Sequence, residues 1–180
     1  TAIGVEAELK IIKTQGDKIL NLRLDKLEGK GFFTKELEEE LLSGTIDIAV
    51  HSHKDLPTVH PAGLTIAAVT EREDPSELLL ILKDCVSVSH KLSLKKGAMV
   101  GTSSNRRKAQ LLAIRPDLNI EDLRGNVPTR IQKLRDEDYD AIVIAKAGVN
   151  RLNIDLSEFH VEVIDTTDVV PAPAQGALAI

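Results

Sequence analysis

The chain has 180 residues, a net charge of −5 and 42% hydrophobic residues, which is enough to build one large core or two small ones. Only 2% of the residues are aromatic and Trp is absent, so the composition excludes the stacking surfaces and broad positive face typical of nucleic-acid-binding proteins. No apolar run approaches the roughly 20 residues that a membrane helix needs. We therefore expect a globular protein that binds neither nucleic acid nor a membrane.

Short apolar, β-branched segments recur along the chain between turn residues, and they predict buried strands. In chain order these segments are residues 9–14, 47–52, 64–69, 78–83, 98–103, 141–146 and 161–165. Helical spacing of apolar residues predicts helices over residues 34–43, 104–114 and 127–136. Because strands alternate with helices, the pattern indicates an α/β fold.

Two polar segments, residues 70–77 and 165–172, interrupt this pattern and predict hinge strands between two domains. The predicted first domain is discontinuous and the second is inserted into it, with the boundaries 1–73 plus 167–180 and 74–166. Ligands in such a fold bind between the domains, at the ends of the strands.

Two segments share one design, in which a strand ends near a glycine and a helix begins with basic residues in or beside its first turn. They are GTSSNRR and LRGNVPTR, and their arginines are Arg106, Arg107, Arg124 and Arg130. Each cation there opposes the helix dipole by about 0.3–1 kcal/mol unless an anion is present, and arginine binds a planar carboxylate through two hydrogen bonds. The pattern predicts a cationic cleft for a substrate rich in carboxylates, with ordinary surface arginines as the alternative.

The segment DIAVHSHKDLPT predicts a strand that stops at a polar cluster. Asp55, next to Lys54 and near several arginines, should stay ionised and could stabilise a cation formed in the cleft. A structural ion pair between Asp55 and Lys54 is the alternative. A metal site built from His51, His53 and His60 would need better-placed ligands, so we expect no metal.

Cys85 is the single cysteine, so no disulfide can form within the chain, and the cytoplasm is the expected compartment. We interpret Cys85 as a small semi-buried residue.

The glycine-rich segment GKGFFTKEL, with Lys26 close before it, is either a mobile basic loop over the cleft or a plain turn.

Taken together and in order, seven motifs resemble those of the porphobilinogen deaminase, or hydroxymethylbilane synthase, family. They are GKGFFTKEL, DIAVHSHKDLPT, TEREDP, GTSSNRR, LRGNVPTR, YDAIVIAKAGVNRL and PAPAQGALAI. The resemblance implies two hinge-linked α/β domains similar to the type II periplasmic-binding-protein fold. It also implies a transferase of tetrapyrrole and haem biosynthesis, which joins four porphobilinogen units into linear hydroxymethylbilane with loss of ammonia at each step.

The resemblance further implies roles for individual residues. Asp55 would be catalytic, steering the pyrrole nitrogens and stabilising the methylene-pyrrolenine cation that forms when ammonia leaves. Substrate and cofactor binding would fall to Lys54, Arg106, Arg107, Arg124, Arg130, Arg151, Ser52, Thr102, Ser103, Ser104 and Gln175. A mobile loop would contribute Lys26, Lys30 and Phe33.

The family also has an earlier strand and helix with a further substrate-binding arginine, and a third domain whose cysteine binds a dipyrromethane cofactor covalently. The sequence from Thr1 to Ile180 contains no segment that matches these parts. We therefore expect a fragment that lacks the covalent cofactor and full activity. We expect a monomer with porphobilinogen as its small-molecule substrate. A solute-binding or sensor domain of the same fold is the runner-up, although it would not need Asp55, and a purely structural protein is a third alternative.

Overall fold

The computed structural model describes residues 4–14, 34–136 and 138–180. The helices within these ranges are α1 (Lys35–Leu42), α2 (Asn105–Ile114), α3 (Val127–Arg135) and α4 (Lys146–Leu152). The strands are β1 (His51–Ser52), β2 (Glu77–Ile81), β3 (Met99–Gly101), β4 (Asn119–Glu121), β5 (Ala141–Ala145), β6 (His160–Ile164) and β7 (Leu178–Ala179). Short 3₁₀ turns cover His53–Asp55, Lys83–Cys85 and Lys91–Ser93.

Five strands form a mixed sheet in the order β4-β3-β5-β2-β6. Strand β3 runs parallel to β4 and β5, whereas β2 runs antiparallel to β5 and β6. The carboxyl ends of β3, β4 and β5 therefore lie at one edge, where the antiparallel β2 begins. The pairing of Glu77 with Ala145 places the first residue of β2 at that edge.

Both faces of this sheet are covered, so its central strands are continuous apolar runs rather than alternating ones. On β2, Leu79 and Ile81 join a core with Leu111 of α2 on one face. Leu78 and Leu80, which point the other way, join a core on the opposite face. That second core includes side chains from α3 and α4.

A smaller sheet pairs β1 with β7 in antiparallel register, with His51 opposite Ala179. On the other side of β7, Val69 forms a bridge with Ala179, and the Ala67 amide donates to the Ile180 carbonyl at 2.8 Å. Residues 177–180 thus lie between residues 51–53 and residues 67–70.

Residues 70–76 lead from the small sheet into β2, and residues 165–177 lead from β6 back to β7. The two connections touch, because the Glu73 amide donates to the Gly176 carbonyl at 3.0 Å and Arg72 Nε donates to the Gln175 carbonyl at 2.8 Å. The division into two hinged domains with the boundaries given above stays a prediction.

The predicted α/β class is confirmed, as are the three predicted helices. The strands predicted at 78–83, 98–103, 141–146 and 161–165 are also confirmed, with shorter bounds. The prediction of a strand at residues 9–14 was wrong. Leu9 and Ile11 are exposed and pair with no strand in the described ranges, and a strand needs a paired neighbour to persist.

Two further predicted strands are smaller than expected. Residues 47–52 contribute only His51–Ser52, and residues 64–69 contribute only the bridge at Val69. Sequence reasoning missed β4 and α4. Among the residues that the structure describes, no helix is both long and apolar enough to cross a membrane.

Candidate ligand-binding site

The two arginine-bearing loops lie side by side, since they follow the adjacent parallel strands β3 and β4. Thr102 N donates to the Glu121 carbonyl at 2.8 Å, and Ser103 Oγ donates to the Leu123 carbonyl at 3.0 Å. Open ends of parallel strands are where α/β sheets bind ligands. The loops therefore occupy the edge of the sheet best placed for a site.

Side-chain caps start both helices. Ser104 Oγ accepts a hydrogen bond from the Arg107 amide at 3.4 Å at the start of α2. Asn126 Oδ1 accepts from the Thr129 amide at 2.9 Å at the start of α3, with Pro128 in the first turn. These caps satisfy backbone donors that would otherwise lack partners. They also fix the residue at which each helix begins, and with it the positions of the neighbouring arginines.

Arg106 and Arg107 share one internal carboxylate, that of Glu77. Nη2 of Arg106 lies 2.6 Å from Oε1, and Nη2 of Arg107 lies 2.6 Å from Oε2. Glu77 is completely buried, whereas the Arg106 side chain is 27% exposed. Part of the hydrogen-bonding capacity that the sequence assigned to a substrate is thus used within the protein.

Arg107 is more deeply enclosed than Arg106. It is buried, and its Nη1 donates to the Val143 carbonyl at 3.1 Å. Its Nε is buried without a partner among the described residues. Arg106 also donates to the Val170 carbonyl. Arg106 is therefore the better placed of the two to reach a ligand, while Arg107 mainly contributes positive charge.

Lys54 links the small sheet to this cationic edge. Burial lowers the pKa of Lys54, the positive charges of Arg107 and Arg130 lower it further, and Asp55 and Glu77 oppose the shift. These interactions require Lys54 to lie near both arginines, although they belong to the large sheet. The five cations Lys54, Arg106, Arg107, Arg124 and Arg130 form what we call the basic cluster.

Arg130 is in a similar environment. Its Nε donates to the Gly125 carbonyl at 2.7 Å, which folds the side chain back over its own loop. Burial lowers the pKa of Arg130, and the charges of Arg107 and Arg124 add to the effect. Within the described part of the chain, neither Arg130 nor Lys54 has a carboxylate at ion-pair distance. Mutually repelling, partly desolvated cations of this kind are typical of sites that bind anions.

Asp55 lies in the 3₁₀ turn directly after β1. Burial raises the pKa of its carboxyl group, with Lys54 and His51 opposing the shift. Asp55 and Lys54 are nevertheless both exposed by surface area, so solvent reaches both side chains although neighbouring groups surround them. No ion pair joins them in the ranges that the structure describes, which argues against a purely structural pair.

The remaining predicted residues divide between this edge and the connections between the sheets. Ser52 is exposed on β1, and Thr102 is buried with its Oγ1 accepting from the Ser104 amide at 3.3 Å. Arg151 donates to the Gly176 carbonyl, and Gln175 is buried beside it with Oε1 lacking a partner in the described ranges. Lys26, Lys30 and Phe33 lie outside the described residues.

Sequence reasoning missed Glu77, which is central to the site. Its only sequence signal was a single acidic residue at the head of an otherwise apolar strand, which is unusual because carboxylates are rarely buried unless paired. In the described ranges no group of three or more His, Cys, Asp or Glu side chains could hold a metal.

The comparisons with known proteins bear on this site. A family model described as "Porphobilinogen deaminase, dipyromethane cofactor binding domain" matches residues 1–180. The curated porphobilinogen deaminase of Sulfurimonas denitrificans is 51% identical over 177 residues, which are 98% of this chain and 55% of that protein. The porphobilinogen deaminase of Bacillus subtilis is 51% identical over 173 residues, which are 96% of this chain and 54% of that protein. The chain thus spans about half the length of the curated relatives it matches.

Among solved structures, the chain is similar to a periplasmic binding protein of Salmonella typhimurium, with 12% sequence identity and a TM-score of 0.42. The match covers 62% of this chain and 50% of that chain.

Proposed function

The chain belongs to the porphobilinogen deaminase family, and we propose that its protein joins porphobilinogen units into hydroxymethylbilane with release of ammonia. One observation carries the proposal. Lys54, in the turn that follows β1, lies close enough to Arg107 of α2 and Arg130 of α3 for their charges to lower its pKa. Asp55, the next residue, therefore places a carboxylate beside a set of cations, and the charge of Lys54 acts on its pKa as well. Each porphobilinogen unit bears an acetate and a propionate, which are the groups that such cations bind.

The basic cluster would hold the substrate carboxylates. Arg106 retains partial exposure beyond its bond to Glu77, and Arg130 and Lys54 have no carboxylate partner among the described residues. Charge-assisted hydrogen bonds contribute about 1.5–3 kcal/mol each, so several of them would fix both the position and the orientation of a pyrrole ring. Correct orientation is itself a large part of catalysis, because two rings must meet at specific carbons.

Asp55 would act where positive charge develops. The reaction breaks the bond between the aminomethyl carbon and nitrogen, and the nitrogen leaves as ammonia. The resulting methylene-pyrrolenine cation forms a carbon–carbon bond with the free α-carbon of another pyrrole, which then loses a proton. A carboxylate in a partly desolvated cleft stabilises such a cation more strongly than it would in water, and its raised pKa also makes it a better proton acceptor.

The residues also fit the dipyrromethane cofactor after which the matched domain is described. The buried Arg107 Nε and Gln175 Oε1 lack partners in the described ranges, and the basic cluster would pair with cofactor carboxylates. When bound, a dipyrromethane would supply the pyrrole end to which the first unit is joined. Cys85 would not attach it, because burial and a hydrogen bond to Asp140 raise the pKa of that thiol to about 11. On its single cysteine, which favours a reducing compartment, we also propose a cytoplasmic protein.

The test is to incubate the protein that carries this sequence with porphobilinogen and to measure ammonia and linear tetrapyrrole together. We expect the two products to appear in proportion to the porphobilinogen consumed. Asp55→Ala should lower the rate by roughly 10²–10³-fold, the range for losing one electrostatic stabiliser, and should change porphobilinogen binding by only a few-fold. Asp84→Ala, at an exposed position on another 3₁₀ turn, is the matched control.

Two results would contradict the proposal. A rate in Asp55→Ala equal to that of the unsubstituted protein would show that Asp55 is not catalytic. Carboxylate binding without any ammonia release by the unsubstituted protein would favour a solute-binding or sensor domain.

A further inference from the structure

Glu77 is a charged residue in a position where charge is costly. It is the first residue of β2, lies between Ala145 of β5 and Ile164 of β6, and is 0% exposed. A buried carboxylate is tolerated only when it is paired and hydrogen-bonded. Its surroundings therefore have to supply matched positive charge.

That charge comes from two consecutive residues of α2. Neighbouring side chains on an α-helix diverge by about 100° because a turn contains 3.6 residues, so Arg106 and Arg107 would ordinarily point to different places. Here each guanidinium donates to a different oxygen of Glu77 at 2.6 Å. Each is also held by a backbone carbonyl, that of Val170 for Arg106 and that of Val143 for Arg107.

The two arginines differ in how far their side chains are accessible to a ligand. Arg107 is enclosed, whereas Arg106 keeps 27% of its side chain exposed at the edge of the sheet where β2 begins. A guanidinium has five N–H donors in a rigid fork, so fixing some of them internally also fixes the direction of the rest. The negative charge of Glu77 also opposes the lowering of the Lys54 pKa by Arg107.

We infer that Glu77 is a positioning residue, which orients Arg106 so that its free N–H donors face the carboxylates of a ligand. This inference rests on the proposed function, because it concerns the same cleft. Glu77 itself is buried behind the arginines and acts only through them.

A double-mutant cycle tests the inference, with the affinity for porphobilinogen and for tricarballylate as readouts. Tricarballylate carries three carboxylates and no pyrrole, so it probes the cationic cleft without the chemistry. We expect Glu77→Gln to weaken binding of both about tenfold when Arg106 is present, and less than twofold in an Arg106→Gln background, as coupled neighbours do. An equal loss in both backgrounds would overturn the inference, since it would show that Glu77 only supports the fold.

Two further variants keep the test decisive. Glu158→Gln removes an exposed glutamate that also pairs with an arginine, Arg135, at 2.6 Å, and it should leave both affinities unchanged. Glu77→Asp retains the charge but withdraws the carboxylate by one methylene. It should cause an intermediate loss, again only when Arg106 is present, and it replaces Glu77→Gln in the cycle if that variant does not fold.

A direct readout is the NMR signal of the Arg106 guanidinium in the unliganded protein. Hydrogen bonds to Glu77 should slow rotation of the guanidinium, and Glu77→Gln should restore the fast averaging of a free arginine. Unchanged guanidinium dynamics in Glu77→Gln would contradict the inference.

The outcomes also separate this inference from the proposed function. If porphobilinogen is neither bound nor consumed while the tricarballylate cycle shows coupling, the function is wrong and the role of Glu77 stands. If porphobilinogen is consumed and neither probe shows coupling, the function stands and the role of Glu77 is wrong.

Discussion

Gly176 and Glu73 pass so close to each other that a β-carbon on Gly176 would lie 2.2 Å from the Glu73 carbonyl oxygen. Gly176 also has a φ of +93°, which residues with a side chain rarely adopt. Its carbonyl oxygen accepts hydrogen bonds from the Glu73 amide and from Arg151. The two segments that connect the small sheet with the large one are therefore in direct backbone contact at this residue.

We expect Gly176→Ala to destabilise the protein by about 2–5 kcal/mol, because a positive φ costs a residue with a β-carbon about 1–2 kcal/mol and overpacking adds about 1–3 kcal/mol. The matched control is Gly44→Ala, since Gly44 has a φ of +71° but open space around its Cα. It should lose only the backbone part. Chemical denaturation measures both, and equal losses would show that the contact with Glu73 is unimportant.

The ion pair between Asp74 and Lys146, at 2.7 Å, should make stability sensitive to acid. Hydrogen bonds from Lys146 and Ser76 lower the pKa of Asp74 from 3.8 to about 2. Between these values the unfolded chain binds more protons than the folded one, so this stabilisation is present above pH 3.8 and is lost as the pH falls towards 2.

Asp74→Asn should therefore reduce the pH dependence of the unfolding free energy between pH 4 and pH 2. At neutral pH it should cost about 1 kcal/mol or less, because the pair is partly exposed. Asp84→Asn, on an exposed turn, is the control. A pH profile of Asp74→Asn that matches the unsubstituted protein would contradict this prediction.

The Cys85 thiol should be unreactive at neutral pH. Burial raises its pKa to about 11, and the hydrogen bond between Sγ and Asp140 Oδ1, at 3.1 Å, adds to the shift. An unperturbed cysteine has a pKa of about 8.5, and only the thiolate is nucleophilic. We expect iodoacetamide labelling at pH 7.5 to be at least about 100-fold slower than for a free thiol and to rise steeply above pH 10. Rapid labelling at neutral pH in the folded protein would contradict this environment.

Lys54 should give carboxylate binding a pH dependence in the alkaline range. Burial and the nearby arginines lower the pKa of Lys54 below its usual 10.5, and a bound carboxylate would favour the charged form. Affinity for tricarballylate should therefore begin to fall before the pH reaches 10.5. Lys54→Met should weaken binding at pH 7 by about tenfold, as expected for one lost charge-assisted bond, and should remove the alkaline fall. Isothermal titration calorimetry measures these affinities. The control is Lys83→Met, because the Lys83 ammonium donates to the Ser157 carbonyl on an exposed surface. This variant should leave the affinity and its pH dependence unchanged.

Some of this architecture could be predicted because its signals are local. The buried strands β2 and β5 are continuous apolar runs, and α2 and α3 begin at residues whose side chains cap them, Ser104 and Asn126. Helix α4 was missed because it lacks such local signals. It has seven residues, no side-chain cap and a glycine within it, so little in its sequence distinguishes it from a loop.

The sequence by itself determined the α/β class and the positions of the two arginine loops, and its motifs predicted an anion site that includes Asp55 and Lys54. Only the tertiary structure decided that Arg106 and Arg107 pair with Glu77, and that Lys54 approaches Arg107 and Arg130. The physical reason is that caps and apolar periodicity act between residues a few positions apart. The partners of a charge depend on strand order, and here the antiparallel start of β2 brings Glu77 to the edge where the parallel strands end.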